Sequence, residues 1–128
     1  LNFNPLSASI VISLGGGIGA VTRFWVSHVI KHHLEKDPLW ATLTVNITGS
    51  FLLGAVAGYF KDRASLPFFF FGTGICGGYT TFSTFSLELT EALKANRHWD
   101  AFLYVTASLI GGFVGFVLAW IAFSSQKS

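Results

Sequence analysis

The 128 residues are 52% hydrophobic and only 11% charged, with a mean hydropathy of +0.59. A soluble domain commits roughly 25% of its residues to charge, so this composition argues against a water-facing enzyme and for a chain embedded in lipid. The formal net charge of +2 is too small for a phosphate-binding surface. The single cysteine, Cys76, allows no intrachain disulfide and reads as a small apolar filler.

A helix needs about 20 mostly apolar residues to cross the hydrocarbon core at ~1.5 Å per residue. The first segment that fits runs from Leu6 to Ile30 and is interrupted by Arg23. No Lys or Arg lies between Leu1 and Ile10, so it is expected to be a retained helix rather than a cleaved signal. The second runs from Trp40 to Phe60 and carries no charge. The third reaches from Leu66 to Leu87, with Ser65 as N-cap and Pro67 in its first turn. The fourth, Ala101 to Phe123, is again uncharged. The connections are short and polar, so residues 1–128 read as one all-α domain of four transmembrane helices.

Trp40, Tyr59, Trp99 and Trp120 stand where an interfacial belt belongs, and Phe68 to Phe71 read as a lipid anchor. Small residues recur every four positions: Gly15 with Gly19, Gly16 with Ala20, Ser50 with Gly54 and Gly58, Gly111 with Gly115. In lipid, helices associate through close backbone contact at such positions, which predicts a tight bundle. Four short helices surround little space, so any permeation path is expected at an oligomer interface.

Alternation of the helices places Lys61, Arg63 and Lys127 on one side, against Lys31, Lys36, Lys94 and Arg97 on the other. Orientation normally follows an excess of Lys and Arg in cytoplasmic loops. Near-balance here predicts insertion in both directions and antiparallel pairing of the chain with itself.

Enzyme motifs are missing. His28, His32, His33 and His98 fall at a helix end or in polar connections, without metal-ligand spacing. Glu88 and Glu91, one turn apart at the end of the third segment, read as a solvated face.

Chemistry concentrates elsewhere. Residues 72–78 hold four glycines, and residues 79–86 hold six hydroxyl-bearing side chains. Each glycine costs a helix ~1 kcal/mol relative to alanine, so the third helix is expected to break near Gly77 and Gly78, within Gly77 to Thr80. A break at membrane depth frees carbonyls that can bind a cation. Beyond it, Phe82 and Phe85 share a helix face, and a ring's edge is its positive side. Thr80, Thr81, Ser83 and Thr84 add hydroxyls. Thr42, Asn46 and Ser50 line one face of the second helix, Tyr104 and Ser108 one face of the fourth. Together they form a narrow track of neutral donors, better suited to an anion than a cation, with Arg23 adding positive potential at its mouth.

Three stretches carry a family resemblance: 15-GGGIGAVTRF-24, 45-VNITGSF-51 and, most specifically, 74-GICGGYTTFSTF-85. Over nearly its whole length the chain resembles the Fluc fluoride-channel family, also called CrcB. The resemblance implies passive export of fluoride across a prokaryotic plasma (inner) membrane. It implies an antiparallel, dual-topology homodimer with two pores. It also implies a structural sodium ion at the dimer centre, held by the carbonyls of Gly77 and Thr80. By the same resemblance Phe82 and Phe85 are the pore phenylalanines, Asn46 is the pore amide, and Ser83, Thr84, Tyr104 and Ser108 belong to the polar track. Family members often carry a further serine where this chain has Gly112, and a tyrosine where it has Phe24. The rival readings are a small dual-topology multidrug exporter, which wants a glutamate in the first helix, a structural membrane subunit, and a membrane enzyme.

Overall fold

A computed structural model describes residues 3–127, Lys127 by its backbone alone. The ends of the expected 1–128 domain, and the side chain of Lys127 in the charge tally, lie outside the described residues. No strand occurs among them. Helix α1, Pro5–His28, continues into a π-helical turn, Val29–His33; α2 is Pro38–Tyr59. Helix α3 covers residues 66–79: Leu66–Phe68 is α-helical, Phe69–Cys76 widens to π geometry, and Gly77–Tyr79 returns to α. Helix α4 is Phe82–Lys94 and α5 is His98–Ser124.

Local sequence explains where these helices begin. Asn4 accepts a hydrogen bond from the Leu6 amide and Asp37 from the Leu39 amide, each directly before a proline in the first turn. The Ser65 hydroxyl accepts from the Phe68 amide, as its position before Pro67 predicts. In each case a short polar side chain satisfies an orphan N–H while proline presets the helical φ.

Three helices, Pro5–His33, Pro38–Tyr59 and His98–Ser124, are long and apolar enough to cross a membrane. The expected third segment is not one helix. It divides into α3 and α4 at Thr80 (φ −80°, ψ 156°) and Thr81 (φ −149°, ψ 116°), both extended. The break thus falls at the C-terminal edge of the expected Gly77 to Thr80 stretch, while Gly77 and Gly78 lie inside the helix.

Gly78 serves close approach instead, with Gly15 and Gly19 of α1. A Cβ on Gly15 would strike the Phe70 carbonyl and meet Gly74 at 3.1 Å, and one on Gly19 would meet the Tyr79 amide at 2.8 Å. Across the same contact, a Cβ on Gly78 would run into the backbone of Gly16. Helices α1 and α3 therefore touch backbone to backbone. Likewise α2 meets α5 where Gly54 abuts the Phe116 carbonyl and Gly58 the Trp120 carbonyl. The four-residue spacing in the sequence is the spacing of these contacts.

The connections at one end meet through ions. Arg97 joins Asp37, between α1 and α2, and Asp100, at the start of α5, both at 2.9 Å. The first and third connections therefore lie at the same end of the bundle, as alternating helices require.

Candidate functional site

The break is held by a side chain of another helix. Asn46, in the middle of α2, donates from Nδ2 to the Thr81 carbonyl (3.0 Å) and accepts the Thr81 amide on Oδ1 (2.8 Å). One amide side chain thus pairs both backbone groups of the extended residue. Backbone polar groups in lipid need such partners. Arg23 of α1 donates from Nε to the Gly78 carbonyl (3.2 Å), which the break deprives of its usual helical partner.

Beyond the break, Thr81 caps α4. Its Oγ1 accepts the Thr84 amide (3.2 Å), donates to Thr84 Oγ1 (3.1 Å) and lies 3.3 Å from Ser83 Oγ. The Phe82 and Phe85 ring centres are 5.7 Å apart, and Phe85 also meets the Tyr104 ring at 4.9 Å. Phe82 is 79% exposed, although it sits beside this polar cluster at mid-chain.

One expectation is overturned at this point. Glu88 was expected on a solvated face, but it is buried, accepting from Thr42 Oγ1 (3.0 Å) and from Tyr104 Oη (2.9 Å). The track of neutral donors therefore includes a carboxylate. The single turn between Glu88 and Glu91 could not separate them; only the packing of α4 against α2 and α5 turns one inward and leaves the other outside. A signal was available in the matching faces of Thr42 and Tyr104, two hydroxyl donors with no acceptor assigned.

Ser108 adds a different feature. Its Oγ is buried and has no hydrogen-bond partner among the described residues. A hydroxyl in that condition is a donor awaiting an acceptor. Near Gly112 the missing serine leaves room: a Cβ there would meet Ser50 Oγ at 3.5 Å, so α2 offers a hydroxyl alongside the vacancy.

Two cavities flank the clamp. One, of about 310 Å³, is lined by Arg23, Phe24 and Ser27 of α1 and by Lys31 of the π-helical turn after it, and reaches Thr42, Thr81 and Thr84. The other, of about 530 Å³, is lined by Asn46, Ser50, Gly77, Thr80, Thr81 and Phe82, among others. Thr81 borders both. The structure thus gathers Asn46, Phe82, Phe85, Ser83, Thr84 and Tyr104 around one break, with Arg23 lining the first cavity. No group of three or more His, Cys, Asp or Glu side chains that could hold a metal ion occurs among the described residues.

Helices fit to span a lipid bilayer, interrupted at depth by a clamped break and a run of polar donors, define an integral membrane protein of the ion-conducting class. Comparison with known proteins makes this particular. Residues 10–120 match the family model described as CrcB-like protein, Camphor Resistance (CrcB), and the chain belongs to that family. It is 42% identical over 112 residues to the fluoride-specific ion channel FluC of Flavobacterium psychrophilum, covering 85% of this chain and 88% of that protein. Against FluC of Pyrococcus horikoshii it is 38% identical over 123 residues, covering 89% and 98%. FluC 1 of Staphylococcus haemolyticus is 37% identical over 115 residues, covering 90% and 96%. The family is one of multi-pass membrane channels, not enzymes.

Proposed function

We propose that the chain is a fluoride-specific channel, conducting the ion passively through two pores of an antiparallel homodimer. The observation that carries the pore assignment is the hydroxyl of Ser108, buried and unpaired on the helix that also bears Tyr104. Fluoride is small and strongly hydrated, so a path must replace its water with donors that bind without trapping. Neutral hydroxyls and ring edges meet that need. Thr84 Oγ1 accepts from Thr81 and keeps its own proton to donate. Phe82 and Phe85 present ring edges next to it. Arg23 and Lys31 line the approach and raise the local anion concentration.

Dimerisation is supported by what one chain leaves bare. The cavity beside the break opens Gly77, Thr80 and Phe82 to the outside of the protomer. Irregular backbone is stable at membrane depth only when covered by protein or water, and a second copy is the natural cover. With the third segment counted as one broken crossing, each chain spans the membrane four times.

The expected sodium fits the same place. In a continuous helix the Gly77 carbonyl would accept the Thr81 amide and the Thr80 carbonyl the Thr84 amide. Both amides are taken instead, by Asn46 Oδ1 and Thr81 Oγ1. Two neighbouring carbonyls are thereby freed, the oxygen chemistry that a sodium ion accepts. Bound there, the ion would neutralise carbonyl dipoles and join the two breaks at the dimer centre.

The decisive experiment is efflux from liposomes holding the purified protein, read with fluoride and chloride electrodes under a potassium–valinomycin potential. Rapid fluoride release with negligible chloride release is expected. Absence of fluoride release from dimeric protein would overturn the assignment.

A further inference from the structure

The groups that free the Gly77 and Thr80 carbonyls lie on the polar track itself. We propose that Asn46 and Thr81 are the positioning residues of the central cation site: each captures an amide that would otherwise close the helix over a ligand carbonyl. The inference rests on the cation reading above and deepens it.

The two captures are chemically equivalent. Asn46 Oδ1 holds the Thr81 amide at 2.8 Å and so withholds it from the Gly77 carbonyl, its acceptor in a continuous α-helix. Thr81 Oγ1 holds the Thr84 amide at 3.2 Å and withholds it from the Thr80 carbonyl in the same way. Asn46 then secures the arrangement by donating to the Thr81 carbonyl at 3.0 Å, which keeps Thr81 extended. The intervening Gly78 carbonyl is occupied by Arg23, so it does not compete for the cation. Three side chains thus sort the carbonyls at the break into free and engaged.

The arrangement has a consequence beyond structure. Asn46 lines the larger cavity, yet both ends of its amide are committed to the backbone of Thr81, which borders both cavities. Its removal would let the Thr81 amide return toward Gly77 and withdraw a ligand from the cation. Cation occupancy and the geometry of the hydroxyls after the break are thereby coupled through one residue, without Asn46 touching the cation.

The test is a sodium titration of the purified full-length protein, first exchanged into N-methylglucamine chloride, at constant ionic strength. Dimer fraction and thermal unfolding are followed, with fluoride efflux measured separately. Asn46→Leu and Thr81→Val should each raise the sodium midpoint at least about tenfold, within the usual range of coupling between sites. Thr81→Ser keeps the hydroxyl and should restore the wild-type midpoint. Phe82→Ile, which lies outside the captures, should cut efflux and leave the midpoint unchanged. Wild-type midpoints in both Asn46→Leu and Thr81→Val would overturn the positioning role while leaving the cation reading intact. A wild-type protein whose dimer is indifferent to sodium would remove the cation reading and this role with it.

Discussion

Asn46 and Glu88 are each a polar side chain in an apolar segment, and each is held by a complete set of partners. Asn46 engages the backbone of Thr81, while Glu88 engages Thr42 and Tyr104. The difference in partner type sets the difference in consequence. Truncating Glu88 to alanine leaves two buried hydroxyls without their acceptor, a loss of about 1–3 kcal/mol that should appear as lower unfolding stability in detergent. Glu88→Gln keeps an acceptor oxygen and should recover most of it. Phe82 is the opposite case, because it is 79% exposed and supports little of the protomer's own packing. Phe82→Ile should therefore leave the dimer assembled yet slow fluoride efflux more than about tenfold, equivalent to ~1.4 kcal/mol on the barrier. Gly112→Ser is a sterically free change, since its Cβ would meet Ser50 Oγ only at 3.5 Å. It should preserve folding and give efflux at or above the wild-type rate, and a marked fall would show that the space beside Ser50 must stay open.

At the scale of helices, glycine position decides what a methyl group does. Gly19 faces the Ile75 carbonyl and the Tyr79 amide, neither of which can yield without moving α3. Gly17, two residues earlier, has nothing within 4 Å of its added Cβ. Gly19→Ala should separate α1 from α3, disturb the break and lower both thermal stability and efflux. Gly17→Ala should be neutral in packing and add up to ~1 kcal/mol of helix propensity. Equal effects of the two, measured by thermal unfolding, would refute the backbone contact. The π-helical stretch Phe69–Cys76 belongs to the same interface, since Gly74 lies against Gly15 and Ile12.

At the scale of the whole molecule, the ion pairs of Arg97 bring the first and third connections to one end. Its hydrogen bonds to Asp100 and then to Asp37 raise the pKa of the guanidinium further, so its charge persists at any working pH. Lys and Arg counts, rather than net charge, govern insertion, so Arg97 still weighs in the near-balanced tally of Lys31, Lys36, Lys94 and Arg97 against Lys61, Arg63 and Lys127. Replacing Ser125 and Gln126 by lysine should trap one orientation, deplete antiparallel pairs and reduce efflux per protein. Unchanged efflux with a fixed orientation would argue against an obligate antiparallel dimer.

Much of this molecule is legible without coordinates. Apolar length marks four candidate crossings, three of which stand as single long helices, Ser65 and Pro67 mark the start of the other, and four-residue glycine spacing marks where helices touch. These are local or periodic properties, and lipid permits few alternatives to a satisfied helix. The exact break and the fate of Glu88 are different. Glycine content pointed to Gly77 and Gly78, yet both stay helical, Gly78 against the backbone of Gly16 in α1. The chain opens at Thr80 and Thr81, where a side chain 35 residues earlier competes for the amide. Glu88 and Glu91 are equivalent in sequence, and only contact with Thr42 and Tyr104 separates them. Composition and periodicity determined what could enter the membrane; the pairing of polar groups across helices decided which ones were left free.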